Sequence, residues 1–157
     1  MHRPIGRLLA ALLITVSGVI AGCSQAPELP PKEILISGND EMKFDLTAFE
    51  VKPSQKVKVT MKNLGTMPKE AMGHNFVVLA KNTDIAKLIE AGAGQAATDY
   101  ISAKDSFHVL AKTKIIGPNE SDTVTFTAPQ VPGPYDYVCT FPGHYASGMK
   151  GVMTVAP

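Results

Sequence analysis

Residues 139–149 read CTFPGHYASGM. Cys139, His144 and Met149 place a thiol, an imidazole and a thioether within eleven residues, with a Pro142-Gly143 turn between the first two. The preceding PYDYVC alternates, so Tyr135, Tyr137 and Cys139 share one face of a strand that the cysteine closes. Met149 opens the next strand, Gly151 to Val155. One loop between two strands therefore carries three side chains able to point at a common centre.

Working outward, most of the chain from Glu33 reads as strand. Ile34-Leu35-Ile36 is a short apolar run before the turn Gly38-Asn39-Asp40. Lys56 to Lys62 alternates, with Val57, Val59 and Met61 on one face and lysines and Thr60 on the other, a half-buried strand. Phe76 to Leu79 is continuously apolar, the pattern of a more deeply buried strand. Asp122 to Ala128 alternates again, with Val124 and Phe126 inward. Only 84–91 breaks the pattern. Ile85, Leu88 and Ile89 fall at helical spacing with Gly92 as a stop, a short helix within an insertion over 81–107. The sum predicts an all-β protein: a Greek-key β-sandwich of seven to eight strands with one short helical insertion.

The 157 residues suit one domain, and a formal charge of +1 with no charge run argues against a nucleic-acid partner. Residues 1–22 read as a secretory signal: Arg3 and Arg7, then an apolar stretch from Leu8 to Ala21 that is short against the roughly 20 residues of a membrane span. Ile20-Ala21-Gly22-Cys23 resembles a bacterial lipobox. That resemblance implies cleavage before Cys23, acylation of Cys23, and a membrane anchor; Ser24 is compatible with the outer membrane. Residues 23–32 then form a lipidated, proline-rich tether that could span roughly 30 Å, and residues 33–157 form the domain. With Cys23 acylated, Cys139 has no partner for a disulfide. A lone thiol in an oxidising compartment is either buried and inert or held by a metal.

The second reading gains weight from His74, in the segment MGHNF at the mouth of a strand. Two imidazoles, a thiolate and a weak axial thioether describe a blue-copper electron-transfer site. Zinc suits it less, since a thioether is a poor ligand for zinc. His108 has no matching pattern and reads as structural or surface.

At this point the chain resembles the cupredoxins, and among them the azurins. The resemblance rests on GNDEMKFD (38–45), MPKEAMGHNF (67–76), TKIIG (113–117), DTVTF (122–126), CTFPGH (139–144) and MKG (149–151), and covers the whole domain. It implies one type 1 copper held by His74, Cys139, His144 and Met149, with the Gly73 carbonyl on the opposite axial side. It also implies that Asn75 hydrogen-bonds across to the cysteine loop and that Phe141 stands behind the ligands. Met42, Met67, Met72, Pro142 and Tyr145 would ring the His144 edge as an apolar docking patch. Four residues, rather than the three of azurins, separate His144 from Met149, a spacing similar to that of auracyanins. The azurin disulfide is missing, Phe76 stands for a buried tryptophan, and Asn63 replaces a histidine that titrates near the metal.

The implied function is one-electron transfer, without enzymatic chemistry, at a bacterial cell-envelope membrane. Partners would be larger redox proteins (cytochromes, copper reductases or peroxidases) docking transiently on a monomer. A multicopper or nitrite-reductase-type enzyme would need more histidines than His108, the one left over in residues 33–157. A periplasmic copper carrier or store is the remaining alternative.

Overall fold

The computed structural model describes residues 29–157. The signal segment 1–22, Cys23 and residues 24–28 of the tether lie outside the described residues, and no described helix is long and apolar enough to cross a membrane. Pro30 is already tied to the domain, its carbonyl accepting a 2.8 Å hydrogen bond from Gln55 Nε2.

Eight strands form two sheets. The first has the order β1-β3-β6: β1 (Lys32–Gly38), β3 (Lys56–Asn63) and β6 (Ser121–Thr127). β1 runs parallel to β3, and β3 antiparallel to β6. The register sets Ile34 beside Val59, Ile36 beside Met61, and Val57 beside Phe126, so one face of all three strands is apolar. Val57, Val59 and Met61 are fully buried, each burial contributing about 1.5–3 kcal/mol before entropy is counted. The lysines between them stay in water, as the alternation requires.

The second sheet has the order β2-β8-β7-β4-β5: β2 (Ala48–Val51), β8 (Lys150–Val155), β7 (Gly133–Val138), β4 (Val77–Leu79) and β5 (Val109–Lys112). β4 lies inside this sheet and is buried on both sides. Val78 enters the main core between the sheets, while Val77 and Leu79 face a second, smaller core with Leu88, Ile101 and Val138. That is why 76–79 is apolar without alternation. The second core is roofed by α2 (Ile85–Gly92), N-capped by the Asp84 side chain on the Lys87 N–H. Gly92 is its last helical residue, and its role is close approach: a Cβ there would lie 1.9 Å from the Tyr100 carbonyl oxygen. The single predicted helix is joined by a one-turn helix, α1 (Lys69–Met72), and by two short 3-10 segments, Ala96–Thr98 and Ala103–His108. α1 is too short to show a period in the sequence.

Tyr137 is the hub of the main core. Its ring lies 5.6, 5.5 and 5.1 Å from those of Phe44, Phe49 and Phe76, and its hydroxyl donates to the Leu46 carbonyl at 2.6 Å. Burial pushes its phenol pKa far up, so it stays a neutral donor. Gly151 is its partner in the β7–β8 register, and a Cβ on Gly151 would lie 2.3 Å from Tyr137 Oη and 2.6 Å from the Thr47 carbonyl. Gly151→Ala should therefore cost about 1–3 kcal/mol by overpacking, and Tyr137→Phe about 1 kcal/mol by losing one hydrogen bond. Urea unfolding of the metal-free protein measures both. A neutral Gly151→Ala would mean that the Tyr137 ring is free to shift.

Candidate metal centre

One end of the sandwich collects the ends of five strands. β1 leaves at Gly38 and β3 at Asn63; β4 is entered through His74 to Phe76, β7 leaves into Cys139, and β8 is entered from Met149. His74 is pinned to Ile116 by a two-way backbone pair, N–H to carbonyl at 3.1 Å and the reverse at 2.9 Å. The Cys139 N–H donates to the Met149 carbonyl at 3.2 Å, which closes the base of the ligand loop. Inside the loop the His144 N–H donates to the Phe141 carbonyl at 3.1 Å, with Gly143 at φ +86°, so Phe141-Pro142-Gly143-His144 is a turn of type II character. Proline presets its first central position and glycine takes the left-handed second one.

These constraints bring together His74, Cys139 and His144, whose ligand atoms all lie within 4.8 Å of one another and are all buried. The two imidazole Nδ1 atoms are 3.2 Å apart, and His144 Nδ1 is 3.4 Å from Cys139 Sγ. The electrostatics favour neutral donors before metal arrives. Burial, with the neighbouring His74 adding to it, lowers the His144 pKa to about 4, and burial lowers that of His74. Burial raises the Cys139 thiol to about 12, against the opposing pull of the Asn75 and Phe141 backbone N–H groups aimed at the sulfur. His74 Nε2 is buried without a hydrogen-bond partner among the described residues, and the Asn39 backbone opposes part of the lowering that burial imposes on the ring's pKa. Burial brings one sulfur and two imidazoles face to face, a donor set that suits copper.

The surroundings brace this set. Asn75 Oδ1 accepts from the Thr140 N–H at 2.9 Å, and its Nδ2 donates to Thr140 Oγ1 at 2.8 Å. The Thr140 hydroxyl then donates to the Asp99 carbonyl at 2.6 Å. The strand carrying His74 is thus clasped to the loop carrying Cys139, and both are tied to the insertion. Asn63 is buried; it donates to the Ile116 and Met72 carbonyls and accepts from the Gly65 N–H. It holds the backbone on either side of His74 without carrying a proton that could come and go. Gly73 sits where a Cβ would lie 2.4 Å from Ile115 Cγ2 and 2.7 Å from the Lys69 carbonyl.

Met149 is fully buried, and its Cε and the His74 Cδ2 both meet the space above Gly38. Phe141 is buried, with its ring 4.7 Å from that of His144 and 5.3 Å from that of Tyr100. Of the predicted docking residues, Met67 and Pro142 are exposed, while Met42, Met72 and Tyr145 are half-buried. Tyr145 leans on the second core and lies under the Lys150 ammonium. His144 itself is only 1 % exposed. His108 stays outside the ligand group, beside Phe107 and Thr83. Asn39, Lys43, Asp99 and Thr140 carry no spacing that marks them as site residues. Asn39 and Asp99 act through backbone atoms, Lys43 reaches in from another loop, and the Thr140 hydroxyl finds its partner 65 residues away.

Residues 32–156 match the model of the copper binding proteins of the plastocyanin/azurin family. The chain is 39% identical over 122 residues to outer membrane protein H.8 of Neisseria gonorrhoeae, a match covering 76% of this chain and 65% of that protein, so it spans less than two thirds of that relative. It is 42% identical over 122 residues to azurin of Bordetella pertussis, covering 75% of this chain and 79% of that one. It also superposes on the reduced auracyanin of the photosynthetic bacterium Roseiflexus castenholzii with a TM-score of 0.72 and 41% identity, over 80% of this chain and 98% of that one. Family match, eight-stranded sandwich and buried His74–Cys139–His144 set agree: the chain belongs to the plastocyanin/azurin family of copper-binding proteins, the cupredoxins, with a candidate type 1 copper site at one end of its sandwich.

Proposed function

We propose that the protein is a one-electron carrier and not an enzyme, held at a cell-envelope membrane surface. The observation that carries this reading is the buried, cross-braced ligand set. His74, Cys139 and His144 are already within 3.2–3.4 Å of one another at their closest pairs and clasped through Asn75 and Thr140. A bound copper supplies the single-electron couple. The protein's part is to hold the same donors around both oxidation states, so that little has to move when an electron arrives. Met149 is proposed as the axial thioether and the Gly73 carbonyl as the opposing weak contact. Asn75 and Phe141, through N–H groups aimed at Cys139, temper the charge on the sulfur.

Electron exchange is proposed through the cover over His144, with Met42, Met67, Met72, Pro142 and Tyr145 as the surface that transient redox partners touch, the chain acting as a monomer. Acylation at Cys23 would tether the domain through the start of β1. β1 starts at Lys32 beside Val57 and reaches the copper end only at Gly38, so the tether would join the domain at the end opposite the site. The relative named as an outer membrane protein supports a cell-envelope location. The alternative, a copper carrier or store, is favoured by no observed feature, since full burial of the thiolate opposes ready release.

Cys139→Ser tests the reading. The copper-loaded protein should show an intense thiolate-to-copper band near the red end of the visible spectrum and a narrow copper hyperfine splitting, and the variant should lose both. A pale spectrum unchanged by the substitution would remove Cys139 from the site. Challenge with a chelator separates carrier from store: slow copper loss is expected, and rapid loss would favour delivery.

The metal-free protein should also lose stability in acid. His144 has an ordinary pKa of 6.5 and a folded one of about 4. Between those values the unfolded chain takes up the proton and the folded one does not. The stability held above pH 6.5 should therefore fall as pH drops toward 4, by up to about 1.4 kcal/mol per pH unit. The lowered pKa of His74 acts in the same direction. Urea midpoints at pH 7 and pH 4.5 measure it, and equal midpoints would place water at these rings.

A further inference from the structure

The stretch from His144 to Met149 is one residue longer than in azurins, and its hydrogen bonds show how the extra residue is used. The Ser147 N–H donates to the Gly143 carbonyl at 3.0 Å, one helical turn. The Gly148 N–H then donates to the Tyr145 carbonyl at 2.9 Å, and the Met149 N–H to the His144 carbonyl at 2.9 Å. With Gly148 at φ +92°, this nested pair is a Schellman motif, the usual closure of a helix at a left-handed glycine. The motif needs four residues between its first carbonyl and its last N–H, the number that separates His144 from Met149. It therefore couples the backbone of the proposed axial residue directly to that of a histidine ligand.

A helical turn closed in this way leaves an outward carbonyl at its cap, here that of Ser147. The Lys43 ammonium hydrogen-bonds to that carbonyl. Gly148 leaves room for it, since a Cβ there would lie 2.7 Å from Lys43 Nζ. Lys43 is itself aimed by a tight turn: the Met42 N–H donates to the Asn39 carbonyl at 3.0 Å, the Glu41 N–H to Asn39 Oδ1 at 3.1 Å, and Met42 adopts φ +57°. Gly38, just before this turn, is the surface on which the Met149 methyl rests, where a Cβ would lie 2.5 Å from Cε. One segment, 38–43, thus touches Met149 at its tip through Gly38 and holds its loop from outside through Lys43.

We propose that Lys43 is a positioning residue of the copper site: by capping the Ser147 carbonyl it draws the His144–Met149 turn toward Gly38 and sets the approach of the Met149 sulfur to the metal. This rests on Met149 as the axial ligand. Without the cap the turn relaxes outward and the thioether recedes. The lysine lies on the surface, so substitution should leave the fold intact.

The test uses the copper-loaded protein with Lys43→Met, which keeps the aliphatic stem and removes the ammonium, and Lys43→Arg, which keeps a donor and its charge. Visible spectra and reduction potentials are read together, with Met149→Leu as a reference. In Lys43→Met the shorter-wavelength thiolate band should weaken relative to the longer one, and Lys43→Arg should restore the ratio. In a Met149→Leu background, Lys43→Met should no longer change it. A potential that moves while the band ratio stays constant would make Lys43 a remote charge only and overturn the proposal, as would no change in either. If Met149→Leu itself leaves the spectrum unaltered, the axial reading fails and this proposal falls with it. If Met149→Leu alters the spectrum and Lys43→Met does not, only the role of Lys43 is overturned.

Discussion

Asn75 bonds with both ends of its amide to Thr140, and the metal site depends on that clasp. His74 and Cys139 lie 65 residues apart in sequence, on a strand entrance and a strand exit. Both side chains are shut away from water. The polar contacts within the set are few, His144 Nδ1 with His74 Nδ1 and with Cys139 Sγ, so neighbouring backbone has to hold it together. Thr140 passes the constraint on to Asp99, whose carboxylate accepts from the Ile115 N–H at 3.0 Å and pairs with Lys112. The insertion that looks like decoration on the sandwich therefore braces the loop that carries the thiol.

The same logic explains the burial of polar groups at this end. His74, His144, Asn75, Asn63 and Thr140 are all nearly or wholly buried. Unpaired, each would cost stability. Asn63 is satisfied by backbone partners, Asn75 by the Thr140 N–H and hydroxyl, and Thr140 by Asn75 and Asp99. The histidine and cysteine donors turn toward each other, and His74 Nε2 is the one buried side-chain nitrogen or oxygen among the described residues without a partner. A cation held among the facing donors would reverse the thiol's preference, turning a group that burial keeps protonated into a thiolate.

The two cores divide the work. The main core, built around Tyr137 with Phe44, Phe49 and Phe76, fixes how the sheets face each other and hence where strand ends meet. The second core under α2 buries Val77, Leu79 and Val138, the neighbours of the ligand-bearing segments, on their other side. Cys139 follows Val138 directly, so the thiol leaves a strand that is packed from both faces. A ligand set mounted this way has little freedom to change shape with the charge of a bound metal.

Much of this was legible from residue order. Alternation over 56–62 and 122–128 marked strands, the continuous run at 76–79 marked a doubly covered one, and the soft donors of 139–149 marked a metal loop, because these are local patterns with a local physical cause. His74 needed its neighbours Gly73 and Asn75 and the family resemblance, since a lone histidine has no periodicity. The one-turn α1, the short β2 and β5, the clasp from Asp99 through Thr140, and the Lys43 contact with Ser147 left no such mark. They depend on backbone carbonyls and on segments brought together only when the sheets pack, and a carbonyl is the same at every position of a sequence. The sequence by itself determined which donors this protein offers a metal; the tertiary structure alone decided which backbone groups hold them in place.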